Sequence, residues 1–69
     1  MTIEQISEII KSRRQFLNLR QEDLAEMSGI ATKTIHLIES RSGNPSVETL
    51  EKLATVLGME LILQIKKMS

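Results

Sequence analysis

Apolar residues recur every three to four positions through most of this chain, the pattern of amphipathic helices around a shared core. The first such stretch predicts a helix from about Ile3 to Leu17. Thr2 and Gln5 have the spacing of a capping box at its start, and Asn18 is suited to end it. Its apolar residues are expected on one face: Ile3, Ile6, Ile9, Ile10, Phe16 and Leu17.

Three shorter helices follow in the same pattern. The second is predicted over Gln21–Met27, with Gly29 placed for a left-handed C-terminal cap. The third is predicted over Thr32–Glu39, and the loop after it is rich in Ser, Gly, Asn and Pro. Ser46 is suited to cap a fourth helix, which Gly58 ends. The sequence therefore predicts an all-α domain of four to five helices over residues 1–58.

The last segment, residues 59–69, has a different period. From Met59 to Lys66 apolar residues occupy every second position, which is typical of a half-buried strand. No other segment reads as a strand, and an unpaired strand leaves its backbone groups unsatisfied. We expect two tails to pair antiparallel across a homodimer, the alternative being a strand or frayed helix on its own domain. The dimerisation residues would be Met59, Leu61, Ile62, Leu63 and Ile65.

Composition narrows the function classes. A chain of 69 residues with no cysteine and one histidine favours neither a disulfide framework nor a metal site. Neither a signal peptide nor a membrane-spanning run is expected, so we expect a cytoplasmic protein. The chain has no phosphate loop and no nucleophile with its base, so we expect no enzyme and no cofactor. Nine basic and nine acidic residues balance, which does not favour DNA binding.

The segment from Gln21 to Glu39 nevertheless has the layout of a helix-turn-helix unit, two short helices joined by a glycine-containing turn. Ala25 is small enough for the helices to cross closely, and Ile30 is suited to fill the space between them. Such a unit lays its second helix in the major groove of DNA and presents the N-terminal residues of that helix to the bases.

The motif residues resemble the lambda-repressor and Cro-like (XRE) helix-turn-helix family over roughly residues 5–58. The resemblance rests on the spacing of Gln21-Glu22-Asp23-Leu24-Ala25, Gly29-Ile30, Thr34-Ile35, Ile38-Glu39 and Asn44-Pro45-Ser46. It implies a compact helical domain that binds double-stranded operator DNA as a dimer, usually as a repressor.

The resemblance also assigns roles to residues. It places Gln21 on a phosphate, Leu37 at the groove edge, and Arg14 with Glu39 in a partly buried ion pair. Arg20 stands where the family usually has Ser or Thr, and it is expected to contact phosphate. It places Ser40 and Arg41 where contacts to backbone phosphates are usual, and the remaining DNA-facing positions are Thr32, Lys33, Thr34 and His36.

Two further departures from the family pattern, and one alternative for Lys33, leave parts of this prediction open. The family usually has Ser or Thr at Ala31, so the third helix is either capped by Thr32 or left uncapped. It often has Gly at Arg41, so the shape of the loop is open. Lys33 is expected to contact the groove or a phosphate, the alternative being a solvated surface lysine.

The strand-like tail more loosely resembles antitoxins of the HipB type, which pair tails, repress their own operon and bind a kinase toxin. A protein-interaction module of that kind, with a cognate toxin kinase as partner, is therefore the competing class. A third reading is a domain of this shape that no longer binds DNA.

Overall fold

The computed structural model describes residues 1–66, and four helices carry the fold within them. They are α1 (Ile3–Phe16), α2 (Gln21–Ser28), α3 (Thr32–Glu39) and α4 (Val47–Val56). The predicted bounds of the first three helices differ from these by one residue at most, and α4 begins directly after the predicted cap. The prediction of an all-α class is confirmed.

The core draws apolar side chains from all four helices. Leu24 of α2, Ile35 of α3 and Leu53 of α4 are fully buried in this core. Each fully buried Leu or Ile stabilises the fold by about 1.5–3 kcal/mol relative to its exposed state. The core cluster consists of Ile10, Leu24, Ile35, Ile38, Leu50, Leu53 and Leu57.

The apolar face of α1, which the sequence predicts, is only partly buried in the structure. Ile10 is buried, but Phe16, Ile9 and Leu17 are 72%, 42% and 37% exposed. Ile9 and Phe16 are seven residues apart, so both lie at the same edge of the apolar stripe, which no other element covers within the described residues. Phe16 instead lies under the guanidinium of Arg13, 5.2 Å from ring centroid to Cζ.

Side chains cap the first and last helices as the sequence predicts. Thr2 Oγ1 accepts the N–H of Gln5 at 3.2 Å, and Gln5 Oε1 accepts the N–H of Thr2 at 2.8 Å. At α4 the hydroxyl of Ser46 accepts the N–H of Thr49 at 3.1 Å. These bonds satisfy backbone donors that a helix start leaves free.

Three of the helices end in the same way. At the end of α1, α3 and α4, one left-handed residue reverses the chain, and the next N–H bonds a carbonyl five positions back at 2.8–3.1 Å. The left-handed residues are Asn18, Arg41 and Gly58, with φ of 58°, 64° and 73°. Asn and Gly adopt this conformation readily, whereas at Arg41 it costs about 1–2 kcal/mol.

The tail leaves the domain after α4. The N–H of Met59 is donated to the carbonyl of Ala54 at 2.8 Å, and the side chain of Met59 packs against the core. From Glu60 to Lys66 every residue is exposed, and residues 59–66 form neither helix nor strand in the single chain. The strand and its pairing across a dimer stay predictions, and residues 67–69 of the predicted tail lie outside the described residues.

Candidate nucleic-acid interface

The turn between α2 and α3 orients the outer surface of α3. Gly29 adopts φ 75°, and its N–H is donated to the carbonyl of Ala25 at 2.9 Å. The N–H of Ile30 is donated to the hydroxyl of Ser28 at 3.2 Å, and the Ile30 side chain packs against the core. These hydrogen bonds and the packing of Ile30 therefore fix the orientation of α3 relative to α2.

With Ile35 and Ile38 buried inward, the other side of α3 is a polar surface. Thr32, Lys33, His36 and Leu37 are exposed, and Thr34 is half-buried. The structure thus brings five of the sequence-predicted DNA-facing residues onto one helix. A rigid, exposed, mostly polar helix of this kind fits the width of the major groove.

The start of α3 has no side-chain cap. Ala31 is its N-cap residue, with an extended backbone and no side chain able to accept a hydrogen bond. Thr32 is the first helical residue, so the structure leaves the helix uncapped by a side chain. The first N–H groups of a helix carry partial positive charge, which favours an approaching phosphate.

A buried polar network braces α3 from behind. Arg14 donates from Nε and Nη2 to both carboxylate oxygens of Glu39, at 2.7 and 2.8 Å, and from Nη1 to the carbonyl of Leu19 at 2.7 Å. Gln21 Nε2 donates to the same carboxylate at 3.2 Å. The ion pair therefore links α1, the start of α2 and the end of α3. It also holds the Gln21 side chain at the edge of the α3 surface.

The charges of this network are stabilised by one another. Burial alone would raise the pKa of Glu39, but hydrogen bonds from Arg14 and Gln21, with the nearby charges of Arg14 and Lys11, hold that pKa below its ordinary value. The hydrogen bond to Glu39 in turn raises the pKa of Arg14. Both groups are therefore charged near neutral pH, and the side chains retain only 11% and 4% exposure.

Two of the predicted phosphate-binding arginines already have carboxylate partners. Arg20 donates from Nε and Nη2 to Asp23 at 3.1 and 3.0 Å, and its backbone N–H bonds the same carboxylate at 2.8 Å. These bonds lower the pKa of Asp23. Arg41 Nη2 lies 3.4 Å from Glu8 Oε2. Both arginine side chains are exposed, so each remains accessible to a phosphate, although Asp23 is half-buried.

The lysine of α3 has no such partner. Among the described residues no carboxylate oxygen lies within 4 Å of Lys33 Nζ. Ser40, at the other end of α3, is exposed, and its hydroxyl lies 3.1 Å from the carbonyl of Leu37 and 3.2 Å from the hydroxyl of Ser42. Lys33 therefore presents its charge on this surface without a carboxylate partner among the described residues.

Sequence reasoning missed Lys11. It lies on α1, one turn before Arg14, and with His36 and Ser40 it lines a small polar pocket of about 160 Å³ beside the buried ion pair. The approach of α1 to α3, which creates this pocket, is a tertiary contact between residues far apart in the chain. The position of Lys11 three residues before the recognised Arg14 was the only sequence signal available.

The predicted dimerisation residues lie away from this surface. Leu61 and Ile62 line an apolar groove of about 550 Å³ between the start of α1 and α4, and they are 41% and 61% exposed. Leu63 and Ile65 are fully exposed, at 103% and 99%. The tail thus exposes large apolar side chains to solvent near this groove.

Other kinds of site find no support in the described residues. Within residues 1–66 no group of three or more His, Cys, Asp or Glu side chains is placed to hold a metal ion. No helix in that part of the chain is long and apolar enough to cross a membrane.

Comparison with known proteins agrees with the geometry. The family model described as helix-turn-helix matches residues 10–63. An uncharacterized HTH-type transcriptional regulator of Methanothermobacter thermautotrophicus is 37% identical over 57 residues, 83% of each chain. A second uncharacterized regulator of that kind, from Haemophilus influenzae, is 43% identical over 56 residues, 81% of this chain. A putative HTH-type transcriptional regulatory protein of Methanococcus vannielii is 38% identical over 53 residues, 77% of this chain.

The relatives differ in length. This chain spans 56% of the Haemophilus protein and 16% of the Methanococcus protein. The matched segment contains α2, the turn at Gly29 and α3 in full. The chain belongs to the lambda-repressor and Cro-like (XRE) helix-turn-helix family.

Proposed function

We propose that this chain is a DNA-binding transcription regulator that binds a near-palindromic operator as a homodimer and represses transcription. The observation that carries the proposal is the placement of α3. Its polar side is exposed, its apolar side is fixed against α2, and a buried ion pair braces its end. Family membership and the names of the relatives support the same function.

In the proposed complex, α3 enters the major groove. Lys33 and Thr34 lie in its first turn, where side chains reach base edges, and His36 and Leu37 follow on the next turn. Phosphate contacts come from the ends of the unit, where Gln21 is held by Glu39. The other predicted phosphate-binding residues are Arg20, Ser40 and Arg41, whereas Thr32 contributes to sequence preference with Lys33, Thr34 and His36. We add Lys11, because it lines the same pocket as Ser40.

Zero net charge is compatible with this interface because much of the acidity is internally compensated. Glu39 is buried against Arg14, while Asp23 is paired with Arg20 and Glu8 with Arg41. Lys11 and Lys33 form no salt bridge within the described residues, and they add positive charge near α3. A local cationic surface attracts phosphates even where the charges of the whole chain cancel.

The dimer is part of the proposal because a single α3 reads only a few base pairs. Two copies related by a two-fold axis would present their α3 helices about 34 Å apart, one turn of DNA. The exposed apolar tail, residues 60–66, supports dimerisation, because it is the segment that a second copy can cover. We assign residues 1–58 to DNA binding and residues 59–69 to dimerisation.

The test is a gel shift with the DNA upstream of the gene, over a salt series and with unrelated DNA as competitor. We expect specific binding in steps of two subunits, weakening steeply as salt rises. Lys33→Ala should weaken specific binding by about 1–3 kcal/mol, and Lys11→Ala should lower the salt slope by about one. Lys52→Ala is the control, because Lys52 lies on α4 in an exposed pair with Glu48.

A folded protein with no preference over unrelated DNA would overturn the proposal. Equal binding by Lys33→Ala and the wild type would overturn the assignment of the reading surface alone. The antitoxin alternative, with a cognate kinase toxin, would gain support only from the first of these outcomes.

A further inference from the structure

The charged and apolar residues of the tail are arranged symmetrically about Leu63. Glu60 lies three positions before it and Lys66 three positions after it, while Leu61 and Ile65 lie two positions to either side. Read backwards about Leu63, the segment matches Leu61 with Ile65 and Glu60 with Lys66, and it places Ile62 opposite Gln64. The charge match favours an antiparallel pair of identical strands centred on Leu63.

Counting residues gives the pairing in detail. In an antiparallel pair centred on Leu63, each residue faces the one at the same distance on the other side of the centre. Leu63 then faces Leu63 of the second copy, and Leu61 faces Ile65. Glu60 faces Lys66 of the second copy, and by symmetry this ion pair forms twice. Opposite charges directly across from each other stabilise such a ladder.

Neighbouring registers fit less well. A pair centred on Ile62 would place Glu60 opposite Gln64 and would draw Met59 into the ladder. The N–H of Met59 is already donated to Ala54, and its side chain packs on its own domain. A pair centred on Gln64 would place Ile62 opposite Lys66. Only the register about Leu63 places Glu60 and Lys66 opposite each other and leaves the N–H of Met59 bonded to the carbonyl of Ala54.

We propose that a second copy of this chain binds the tail in one register, with Leu63 on the two-fold axis and Glu60 facing Lys66. The ladder would bury Leu63 and Ile65, which are fully exposed in the single chain. The inference rests on the dimer of the proposed function and adds the geometry of its contact. Since residues 60–66 are all exposed, substitutions there leave the folded domain intact.

Cysteine scanning tests the register directly, because the chain has no cysteine of its own. Residues facing themselves across an antiparallel pair have Cα atoms about 4.5–5.5 Å apart, within the range of a disulfide. Oxidised glutathione accepts the two electrons and two protons released when the two thiols join. Leu63→Cys should give mostly cross-linked dimer. Ile62→Cys and Gln64→Cys, two residues out of register, would lie about 8 Å apart and remain monomeric on a non-reducing gel.

Charge reversal gives a second measurement, the dimer dissociation constant by analytical ultracentrifugation. Glu60→Lys and Lys66→Glu should each weaken the dimer on the order of tenfold, because each creates two like-charge pairs. The double variant Glu60→Lys/Lys66→Glu should return to within about threefold of the wild type. Glu26→Lys, an exposed residue of α2, controls for the change in net charge.

The outcomes separate the register from the dimer. Preferential cross-linking of Ile62→Cys or Gln64→Cys in a dimeric protein would overturn the register and keep the dimer. A charge-reversed pair that fails to recover affinity would likewise overturn it. A wild-type chain that stays monomeric at all accessible concentrations would overturn the dimer of the proposed function, and the register with it.

Discussion

The junction of α1 with α3 and the tail after α4 place polar and apolar side chains in opposite ways. At the junction an arginine and a glutamate retain only 11% and 4% exposure. In the tail Leu63 and Ile65 are fully exposed. Buried charges and exposed clusters of large apolar residues are each unusual, and each calls for an explanation.

The explanation differs between the two regions. At the junction every charge finds its partner within the chain, because Arg14 and Glu39 form two hydrogen bonds and Leu19 and Gln21 take up further groups. The tail has no such partner within the described residues. The comparison teaches that the chain satisfies its buried ion pair by itself, whereas it leaves the large apolar side chains of the tail exposed to solvent.

The largest expected effect comes from making the tail polar. Leu63→Glu removes two buried leucines per dimer and places two like charges on the axis, so we expect dimerisation to weaken by about 3 kcal/mol or more. Helix content should be unchanged, because Leu63 touches little of its own domain. Analytical ultracentrifugation measures the first quantity and circular dichroism the second.

The control for this change is Gln64→Glu, which adds the same charge to the tail without removing an apolar side chain. If Leu63→Glu dimerised as tightly as Gln64→Glu and the wild type, the tail would not be the dimer contact. Dimerisation would then not explain the exposed apolar side chains of the tail.

The next effect is expected at the junction. Glu39→Ala leaves the guanidinium of Arg14 partly buried without its carboxylate, so we expect a loss of about 3 kcal/mol or more in the free energy of unfolding. The double variant Arg14→Met/Glu39→Leu removes both charges and should lose less than the single variant. Urea unfolding at one fixed protein concentration measures both, because dimerisation makes stability concentration-dependent.

Glu51→Ala, an exposed residue of α4, is the matched control and should change stability by less than about 0.5 kcal/mol. A double variant as unstable as Glu39→Ala would mean that the junction contributes through its specific hydrogen bonds and not through charge compensation.

The helices were predictable because their signals are local. The capping pair Thr2 and Gln5, the left-handed residue Gly29 and the cap Ser46 lie within a few positions of the helix ends that they fix. The site was predictable only as a set of positions on α3. Its residue roles came from the family resemblance, and the structure adds their exposure and partners.

What the sequence could not show depends on contacts between distant residues. The periodicity of α1 predicts an apolar stripe but not which part of it another helix covers, so the exposure of Phe16 could not be predicted. The pairing of Arg41 with Glu8 spans 33 residues, and no local pattern reveals it. Lys11 was missed for the same reason.

The smallest expected effect concerns a buried polar group that lacks a hydrogen-bond partner. Ser7, on the inner side of α1, is 1% exposed, and its hydroxyl has no hydrogen-bond partner among the described residues. Ser7→Ala removes that unsatisfied group and raises helix propensity, so we expect the free energy of unfolding to rise by about 1 kcal/mol.

Ser12→Ala, on the exposed side of the same helix, separates the two causes. It shares the gain in helix propensity but removes a hydroxyl that is in water and 3.4 Å from Glu8. Urea unfolding of both variants should therefore show the larger gain for Ser7→Ala. Equal gains would mean that the Ser7 hydroxyl is satisfied in solution, and the interior would then be complete without exception.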